Sequence, residues 1–391
     1  MKVFTDLLRA LRRGREREDK LKMSIGRIFL AFGFLMSLIA VPLFARGSRE
    51  NSDRVEELLG AGATFPYPLY SKMFSEYGKL KGVRINYQAI GSGGGIRQLL
   101  SKTVDFGGTD AFMDDKDLAK AKASTNNEIL HIPICLGAVV ITYNLALNSL
   151  NNGLKGKHLR LTPDVIGDIF LGKIKRWNDL RISKLNPGIK FPEIDITVVH
   201  RSDGSGTTFV FSDYLSKVNP EWKERIGSGK LLDWPVGIGG KGNPGVAGLV
   251  KQIKGSIGYV ELVYAVQNKM PYAAIKNSNG NFIIPSLSTV SLAADIDIPE
   301  DTRISITNTR AGRGYPISSF TWIIFYKEQH YGGRSLKRAQ ELLSLLWWMI
   351  HDGQKYTGAL EYAKLPDTAV RKAETIINSV VYDGKPIRFN R

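Results

Sequence analysis

Four short segments of the chain carry the residue types that hold a small oxyanion, although they are spread over almost 150 positions. They are residues 60–66, 91–95, 105–110 and 200–208. Three of them are rich in glycine and hydroxyl side chains, and each of these precedes a helix-like pattern. Backbone N–H groups at a helix N-terminus have no partner within the helix and lie at the positive end of its dipole. Glycine lets an anion approach these groups closely, and Ser or Thr adds a hydroxyl donor.

Together, the segments supply one set of anion-binding groups. The set combines hydroxyls, N–H groups at helix starts, one guanidinium and one carboxylate, and its members are Thr64, Phe65, Ser92, Asp110, Arg201, Ser205, Gly206 and Thr207. Taken singly, each Gly-rich segment is more typical of a tight turn between a strand and a helix. We therefore expect a site only if the fold brings the segments together.

Arg201 is the candidate cation of this site. Its planar guanidinium can donate two parallel hydrogen bonds to an oxyanion. Asp203, two residues further on, is placed to hold that fork and to offset part of its charge. The alternative is a surface arginine in a turn, with Asp203 as an Asx-turn former.

Asp110 is the residue that narrows the class of anion. A carboxylate beside a bound anion repels it unless the ligand brings a proton. Hydrogen phosphate carries one at neutral pH and sulfate does not, so an accepting Asp110 would admit phosphate and reject sulfate. The alternative is a helix-capping role ahead of the helix predicted to start at Asp114.

Composition sets the broad class. The chain has 391 residues, which is long enough for two domains, and 43% of them are hydrophobic, so disorder is not expected. The formal net charge is +17, of which residues 1–50 carry +6. The remainder shows no basic arm and no helix with interleaved basic and aromatic residues, so we do not expect nucleic-acid binding. The single cysteine, Cys135, lies in an apolar run and is predicted to be a buried core residue.

The N-terminus is predicted to be a targeting segment over residues 1–46. Residues 28–45 are uncharged and strongly apolar, and Arg27 precedes them. This pattern is typical of a signal peptide with cleavage near Ala45, whereas retention as a membrane anchor is the competing interpretation. Met23 begins a segment of ordinary signal-peptide length, so it is a candidate start. We expect an exported protein.

Strand-like and helix-like patterns alternate along the body of the chain. Helices are expected near residues 67–80, 96–100, 114–124, 162–171, 207–218, 335–352 and 367–381, and strands near 83–87, 104–107, 139–143, 196–200 and 315–326. This order predicts α/β lobes with mostly parallel sheets, in which ligands sit at the carboxyl ends of the strands. We expect residues 47–143 and 315–391 to form one lobe and 144–314 the other, with a crossing at 144–157.

From about Leu59 onward, the sequence resembles the high-affinity phosphate-binding proteins that serve ABC-type phosphate importers. The motifs that carry the resemblance are long and in the same order, at residues 60–66, 86–92, 103–111, 169–177, 201–207, 234–243 and 257–261. The resemblance implies a two-lobed periplasmic-binding-protein fold of type II, with hinge strands between lobes that close on phosphate. It implies that permease and ATPase subunits are partners, and we expect a monomer without a cofactor or metal.

The same resemblance assigns phosphate contacts to the eight residues chosen above, with the N–H of Phe65 as a donor and Asp203 orienting Arg201. Two positions depart from the family pattern. Gly93 stands where a second serine often follows Ser92, and His200 replaces what is often an arginine. These departures could tune the affinity without removing a main contact.

Two other classes of function stay open. An enzyme, such as a phosphate-related hydrolase, is disfavoured because the serine segments do not fit G-x-S-x-G and the five histidines show no metal-ligand spacing. No G-x-x-x-x-G-K-[ST] segment is present either, so a nucleotide P-loop is not expected. A binding protein for another oxyanion is the second alternative, and Asp110 argues against anions without a proton.

Overall fold

The structure is a computed structural model that describes residues 55, 57–145 and 158–391. Residues 54–391 form one compact unit. The predicted targeting segment and most of the predicted crossing at 144–157 lie outside the described residues. In the described part of the chain, none of the helices has the length and apolar character needed to cross a bilayer.

The first part of the chain is a run of parallel strands, each followed by a helix. Its elements are β1 (Glu57–Gly62), α1 (Tyr67–Lys81), β2 (Arg84–Ala89), α2 (Ser92–Leu100), β3 (Phe106–Thr109) and α3 (Asp115–Thr125). Strand β1 pairs in parallel with both β2 and β3. The carboxyl ends of the three strands therefore lie at one edge.

Two long antiparallel strands form the centre of the sheet. They are β4 (Ile129–Tyr143) and β11 (Ser318–Tyr326), and β11 also pairs with β3. Nearly every residue of both strands is buried, and apolar residues make up most of β4 and most of the second half of β11. Cys135 in β4 is fully buried, as predicted.

The second part repeats the strand-to-helix order. Between β4 and β11 lie β5 (Arg160–Leu161), α4 (Pro163–Phe170), α5 (Leu180–Leu185), β6 (Thr197–Arg201), α6 (Gly206–Val218), α7 (Pro220–Arg225), β7 (Ile238–Gly240), α8 (Gly242–Gln252), β8 (Ser256–Glu261), α9 (Leu262–Gln267), β9 (Ala274–Lys276), β10 (Phe282–Ile283) and α10 (Leu287–Ala293). Strand β6 pairs in parallel with β7 and β8, and β8 pairs antiparallel with β4.

The described chain ends in helices and a short hairpin. These are α11 (Leu336–Ile350), two 3₁₀ turns (Asp352–Tyr356 and Gly358–Leu360), α12 (Asp367–Asn378), β12 (Val381–Tyr382) and β13 (Lys385–Pro386). The eight-stranded sheet has the order β2-β1-β3-β11-β4-β8-β6-β7. Parallel groups thus stand at both ends, and antiparallel strands join them.

Most predicted elements are present with shifted ends. The helix predicted at 96–100 begins earlier, at Ser92, because Gly91 takes a φ of +87° and turns the chain into the helix at once. The strand predicted at 104–107 is observed at Phe106–Thr109. The apolar run at 139–143 is the end of the longer β4.

Gly62 ends β1 in a conformation that only glycine adopts readily. Its φ is +146°, and a Cβ atom there would lie 2.1 Å from the carbonyl oxygen of Gly108. We expect Gly62→Ala to lower the free energy of unfolding by about 3 kcal/mol, through backbone strain and the clash with a neighbouring strand. Urea unfolding measures this change.

The matched control is Gly248→Ala in α8, where a Cβ atom would meet no other atom within 4 Å. Because the space around this helical glycine is open, its replacement by alanine should raise the free energy of unfolding by about 0.5–1 kcal/mol. Equal unfolding midpoints for the two variants would contradict the role given to Gly62.

Candidate oxyanion site

Each of the four predicted segments lies where a parallel strand passes into a helix or loop. Ser92 opens α2, Asp110 follows β3, and Arg201 ends β6. Ser205 is the N-cap of α6, and its Oγ accepts a hydrogen bond from the Thr208 N–H at 3.0 Å. This is the edge at which ligands bind in open α/β sheets.

Arg201 is a buried cation held by a two-point ion pair. Only 1% of its side chain is exposed. Its Nε donates to Asp203 Oδ1 at 2.7 Å and its Nη2 to Oδ2 at 2.6 Å. Burial alone would raise the pKa of Asp203, but hydrogen bonds from Arg201 and its charge hold that pKa below the usual range. Asp203 therefore orients Arg201, and the alternative of a surface arginine is wrong.

Asn243 joins two of the predicted segments. Its Nδ2 donates to Thr64 Oγ1 and to Thr207 Oγ1, both at 3.0 Å. The Asn243 backbone N–H also donates to Thr64 Oγ1, at 3.1 Å. Arg201 Nη1 reaches the same Thr207 hydroxyl at 3.3 Å. The first and fourth segments thus meet although about 140 residues separate Thr64 from Thr207.

Ser92 joins the second, third and fourth segments. Its Oγ accepts from the Gly206 N–H at 3.1 Å and from the Asp110 N–H at 3.3 Å. The same hydroxyl lies 3.5 Å from Asp110 Oδ2. Ser92 is fully buried. The fold therefore brings all four segments together around buried polar groups.

Asp110 is a buried carboxyl that does not cap a helix. Helix α3 is capped by Asp114, whose Oδ1 accepts from the Asp117 N–H at 2.7 Å. Asp110 Oδ1 instead accepts from the Thr321 hydroxyl at 2.9 Å. Burial raises the pKa of Asp110 to about 7, although Thr321, the charge of Arg201 and Ser92 each oppose the rise. The carboxyl is therefore poised to gain or lose a proton near neutral pH.

Two other predicted residues, Phe65 and Gly93, lie beside this network. Phe65 is fully buried, and its carbonyl accepts from the Tyr362 hydroxyl at 2.6 Å. The Gly93 N–H donates to the Gly204 carbonyl at 2.8 Å, and a Cβ atom on Gly93 would lie 3.2 Å from Gly204 Cα. A side chain at position 93 would therefore crowd the fourth segment.

His200 lies beside the ion pair and does not take part in it. Its ring stacks on Trp234 with centroids 4.8 Å apart, and its Nδ1 lies 3.1 Å from the Arg201 carbonyl oxygen. Burial lowers its pKa, which favours the neutral ring. The departure at position 200 therefore adds no charge of its own at neutral pH.

Sequence reasoning missed two residues that organise the site. Asn243 belongs to a quoted motif, but a buried amide bridge gives no signal in a single sequence. Thr321 lies in β11, about 210 positions after Asp110, inside an apolar strand where a hydroxyl has no periodic signature. A polar residue in a strand otherwise buried on both faces was the one available hint.

Comparison with known proteins places the chain in a family. Residues 47–352 match the family described as a PBP superfamily domain. The phosphate-binding protein PstS of Xylella fastidiosa (strain Temecula1) is 44% identical over 321 residues, covering 81% of this chain and 84% of its own. PstS of Pasteurella multocida (strain Pm70) is 40% identical over 339 residues, which cover 85% of this chain and 94% of its own. The chain belongs to the PstS family of phosphate-binding proteins.

Solved structures confirm the predicted fold. A phosphate-binding protein from Stenotrophomonas maltophilia superposes on this PstS-family chain with a TM-score of 0.63 at 17% identity, covering 82% of this chain and 94% of its own. A high affinity periplasmic phosphate-binding protein, PfluDING, was solved with bound phosphate. It superposes with a TM-score of 0.63 at 20% identity, covering 83% of this chain and 93% of its own. The α/β periplasmic-binding-protein fold is therefore shared.

The Arg201–Asp203 pair predicts a pH-dependent contribution to stability. Asp203→Asn leaves a buried guanidinium without its counter-charge, so we expect the free energy of unfolding at pH 7 to fall by about 3 kcal/mol. Because the folded pKa of Asp203 is depressed, this contribution is present above the ordinary value of 3.8 and is lost as the pH falls through the folded pKa. Urea titrations at pH 7 and in acid measure the difference.

Asp179→Asn is the control, since Asp179 pairs with Arg181 at the surface, with 24% of its side chain exposed. Asp179→Asn should lower the free energy of unfolding by less than about 1 kcal/mol. An Asp203→Asn loss no larger than the Asp179→Asn loss would contradict a buried pair.

Proposed function

We propose that the protein binds inorganic phosphate at the site around Arg201 and delivers it to the permease and ATPase subunits of an ABC-type phosphate importer. Membership of the PstS family supports this, since the curated relatives carry the name phosphate-binding protein. The observation that carries the proposal is one buried carboxyl, Asp110, among hydroxyl and cationic donors.

The donor set fits a tetrahedral anion. It consists of the hydroxyls of Thr64, Ser92, Ser205 and Thr207, the N–H groups of Phe65 and Gly206, and the Arg201 guanidinium. Hydrogen bonds within one proposed lobe, from Asn243 Nδ2 and Arg201 Nη1 to the Thr207 hydroxyl, hold these groups in place before a ligand binds. Such preorganisation lowers the ordering cost of binding.

Asp110 gives the site its choice of anion. An ionised Asp110 accepts a hydrogen bond from a P–OH group, which hydrogen phosphate offers and sulfate lacks. Asp203 stays outside this contact set, because both of its oxygens are used by Arg201 and Oδ1 also accepts from the Gly242 N–H at 2.9 Å. Asp203 acts by orienting the Arg201 guanidinium. Gly93 acts by leaving room for the fourth segment to pack against the second.

We assign the two lobes to residues 47–143 with 315–391 and to residues 144–314. The two parallel groups of strands support this division, since β4 and β11 lie between them in the sheet. Contacts such as the hydrogen bond from Asn243 Nδ2 to Thr64 Oγ1 would then cross the cleft and form as the lobes close. We propose a monomeric, periplasmic protein, exported by the segment over 1–46 with Met23 as the candidate start.

We propose a binding protein and not an enzyme. Among the described residues, no group of three His, Cys, Asp or Glu side chains is placed to hold a metal ion. The Ser205 hydroxyl oxygen is already an acceptor for the helix N-terminus, as an N-cap. Turnover of a phosphoester that is lost in Ser205→Ala would favour the hydrolase alternative instead.

Titration calorimetry of the protein from Gly47 onward, with phosphate and then with sulfate, tests which anion it binds. At pH 8 we expect a phosphate Kd of about 1 μM or below, equivalent to roughly 8 kcal/mol of binding free energy, and sulfate binding that is at least about 100-fold weaker. Arg201→Ala should weaken phosphate binding by about 100-fold, because it removes the cationic donor of the site. Equal binding of both anions, or an unchanged Arg201→Ala variant, would contradict the assignment.

The pKa of Asp110 predicts when sulfate is admitted. Above about pH 7 the ionised carboxyl faces sulfate acceptor to acceptor, whereas the protonated form donates to it. Sulfate affinity should therefore rise about tenfold for each pH unit below pH 9 and level off below pH 7, because only the protonated fraction binds. Hydrogen phosphate keeps a proton over this range, so its affinity should change much less.

Asp110→Asn is the control for this pH dependence. Its amide donates at every pH, so the variant should bind sulfate with an affinity that is flat between pH 6 and pH 9. A flat sulfate profile in the unmodified protein would show that Asp110 does not set the selectivity.

A further inference from the structure

Glu261 is a carboxyl buried directly behind the proposed phosphate site. It is the last residue of β8 and is fully buried. A Cβ atom on Gly137 would lie 3.2 Å from its Oε1 and 2.5 Å from the Phe65 ring, so β4, Glu261 and Phe65 are packed together. The contacts proposed for phosphate do not use this carboxyl.

The hydrogen bonds of Glu261 leave one oxygen unpaired. Oε2 accepts from the Val263 N–H at 2.8 Å and lies 3.3 Å from the Tyr362 hydroxyl oxygen. Oε1 is buried and has no hydrogen-bond partner among the described residues. An ionised carboxylate with a bare buried oxygen is strongly disfavoured, whereas a carboxylic acid tolerates it far better.

The proton of Tyr362 indicates the same protonation state. Its hydroxyl lies 2.6 Å from the Phe65 carbonyl oxygen, which has no proton to give, so the single phenolic proton goes there. An ionised Glu261 would receive only a weak share of that proton at 3.3 Å, whereas a protonated Oε2 can itself donate to the tyrosine oxygen. The result is one directed chain from Glu261 through Tyr362 to Phe65.

The same segment holds the site from two further sides. The Glu261 backbone N–H donates to Asn243 Oδ1 at 3.0 Å, which fixes the amide that bridges the site hydroxyls. The Tyr264 hydroxyl donates to the Thr64 carbonyl at 2.5 Å. That carbonyl belongs to the peptide group whose N–H is the Phe65 donor, and a hydrogen bond to one end of a peptide strengthens the donor at the other.

The groups around Glu261 are acids. It interacts with Asp110 beyond β3, with the thiol of Cys135 in β4, with Tyr264 in α9, and with Tyr362. Burial is the largest cause that raises the pKa of Glu261, and the charge of Asp110 adds to it. An ionised Glu261 would place a second negative charge behind a site for an anion.

We propose that Glu261 is a positioning residue held as a neutral carboxylic acid. Through Tyr362 its side chain holds the Phe65 carbonyl, beside the Thr64–Phe65 peptide that Tyr264 holds, and its backbone N–H holds the Asn243 amide. It does so without adding negative charge. The inference rests on the proposed function for the ligand. The protonation state can be tested without any ligand.

Infrared difference spectra between the wild-type protein and Glu261→Gln test the proton directly at pH 8.5, where Asp110 is ionised. We expect the carbonyl band of a protonated carboxyl in the wild-type protein, absent from the variant. A carboxylate band in its place would overturn the proposal. This measurement uses no phosphate, so it is independent of whether the protein binds it.

The phosphate Kd of Glu261→Gln distinguishes a neutral Glu261 from an ionised one. Glu261→Gln keeps a neutral donor toward Tyr362, so the phosphate Kd should stay within about twofold. If Glu261 were ionised, removing its charge would tighten binding by more than about fivefold, and that result would overturn the proposal. Failure of the wild-type protein to bind phosphate would instead reject the proposed function.

Tyr362→Phe tests the positioning chain. It deletes one hydroxyl, and we expect the phosphate Kd to rise by about five- to tenfold. Tyr326→Phe is the matched control, because the Tyr326 hydroxyl is also buried and donates to a backbone carbonyl, that of Leu99 at 3.1 Å. Equal affinities for the two variants would show that Tyr362 plays only a structural part.

Discussion

The buried ion pair between Arg201 and Asp203 fixes more of this site than any other contact. A guanidinium with 1% of its side chain exposed stays charged only with a counter-ion and satisfied donors. Asp203 supplies both, and its Oδ1 also receives the Gly242 N–H at the start of α8. The pair therefore also holds the first residue of α8, next to Asn243. Because Asn243 bridges Thr64 and Thr207, one carboxylate supports the contact between the first and fourth segments.

Glycine makes the approach between these segments possible. A Cβ atom on Gly91 would lie 2.3 Å from Asp203 Oδ2 and 2.8 Å from the Gly204 carbonyl oxygen. A Cβ atom on Gly206 would lie 2.5 Å from both Asp110 Oδ2 and Ser92 Oγ. The glycines of the second and fourth segments thus serve the contact between segments as much as backbone turns. This explains why three separate stretches of the chain are glycine-rich although they are far apart in sequence.

Local chemistry in the sequence was sufficient to predict the strand-to-helix order and the candidate donors. Arg201 and Asp203 are two positions apart, so their pairing could be proposed from spacing alone. Thr321 and Tyr362 could not, because they reach the site through strand pairing of β11 and through the turns after α11. Their partners Asp110 and Phe65 lie more than 200 positions away, and no periodicity encodes such a contact. The protonation of a buried carboxyl is likewise a property of the packed structure.

The balance of charge links the binding site to the layer behind it. Arg201 is neutralised by Asp203, so the net charge that an incoming anion meets depends on Asp110 and Glu261. If both were ionised, phosphate would face two buried negative charges within a low-dielectric region, and no hydrogen bond of ordinary strength offsets that repulsion. In the proposed site the two carboxyls avoid this conflict in different ways: Glu261 keeps its own proton, and Asp110 accepts one from the ligand. On this proposal Asp110 sets which anion is selected, and a neutral Glu261 keeps the repulsion of any anion low.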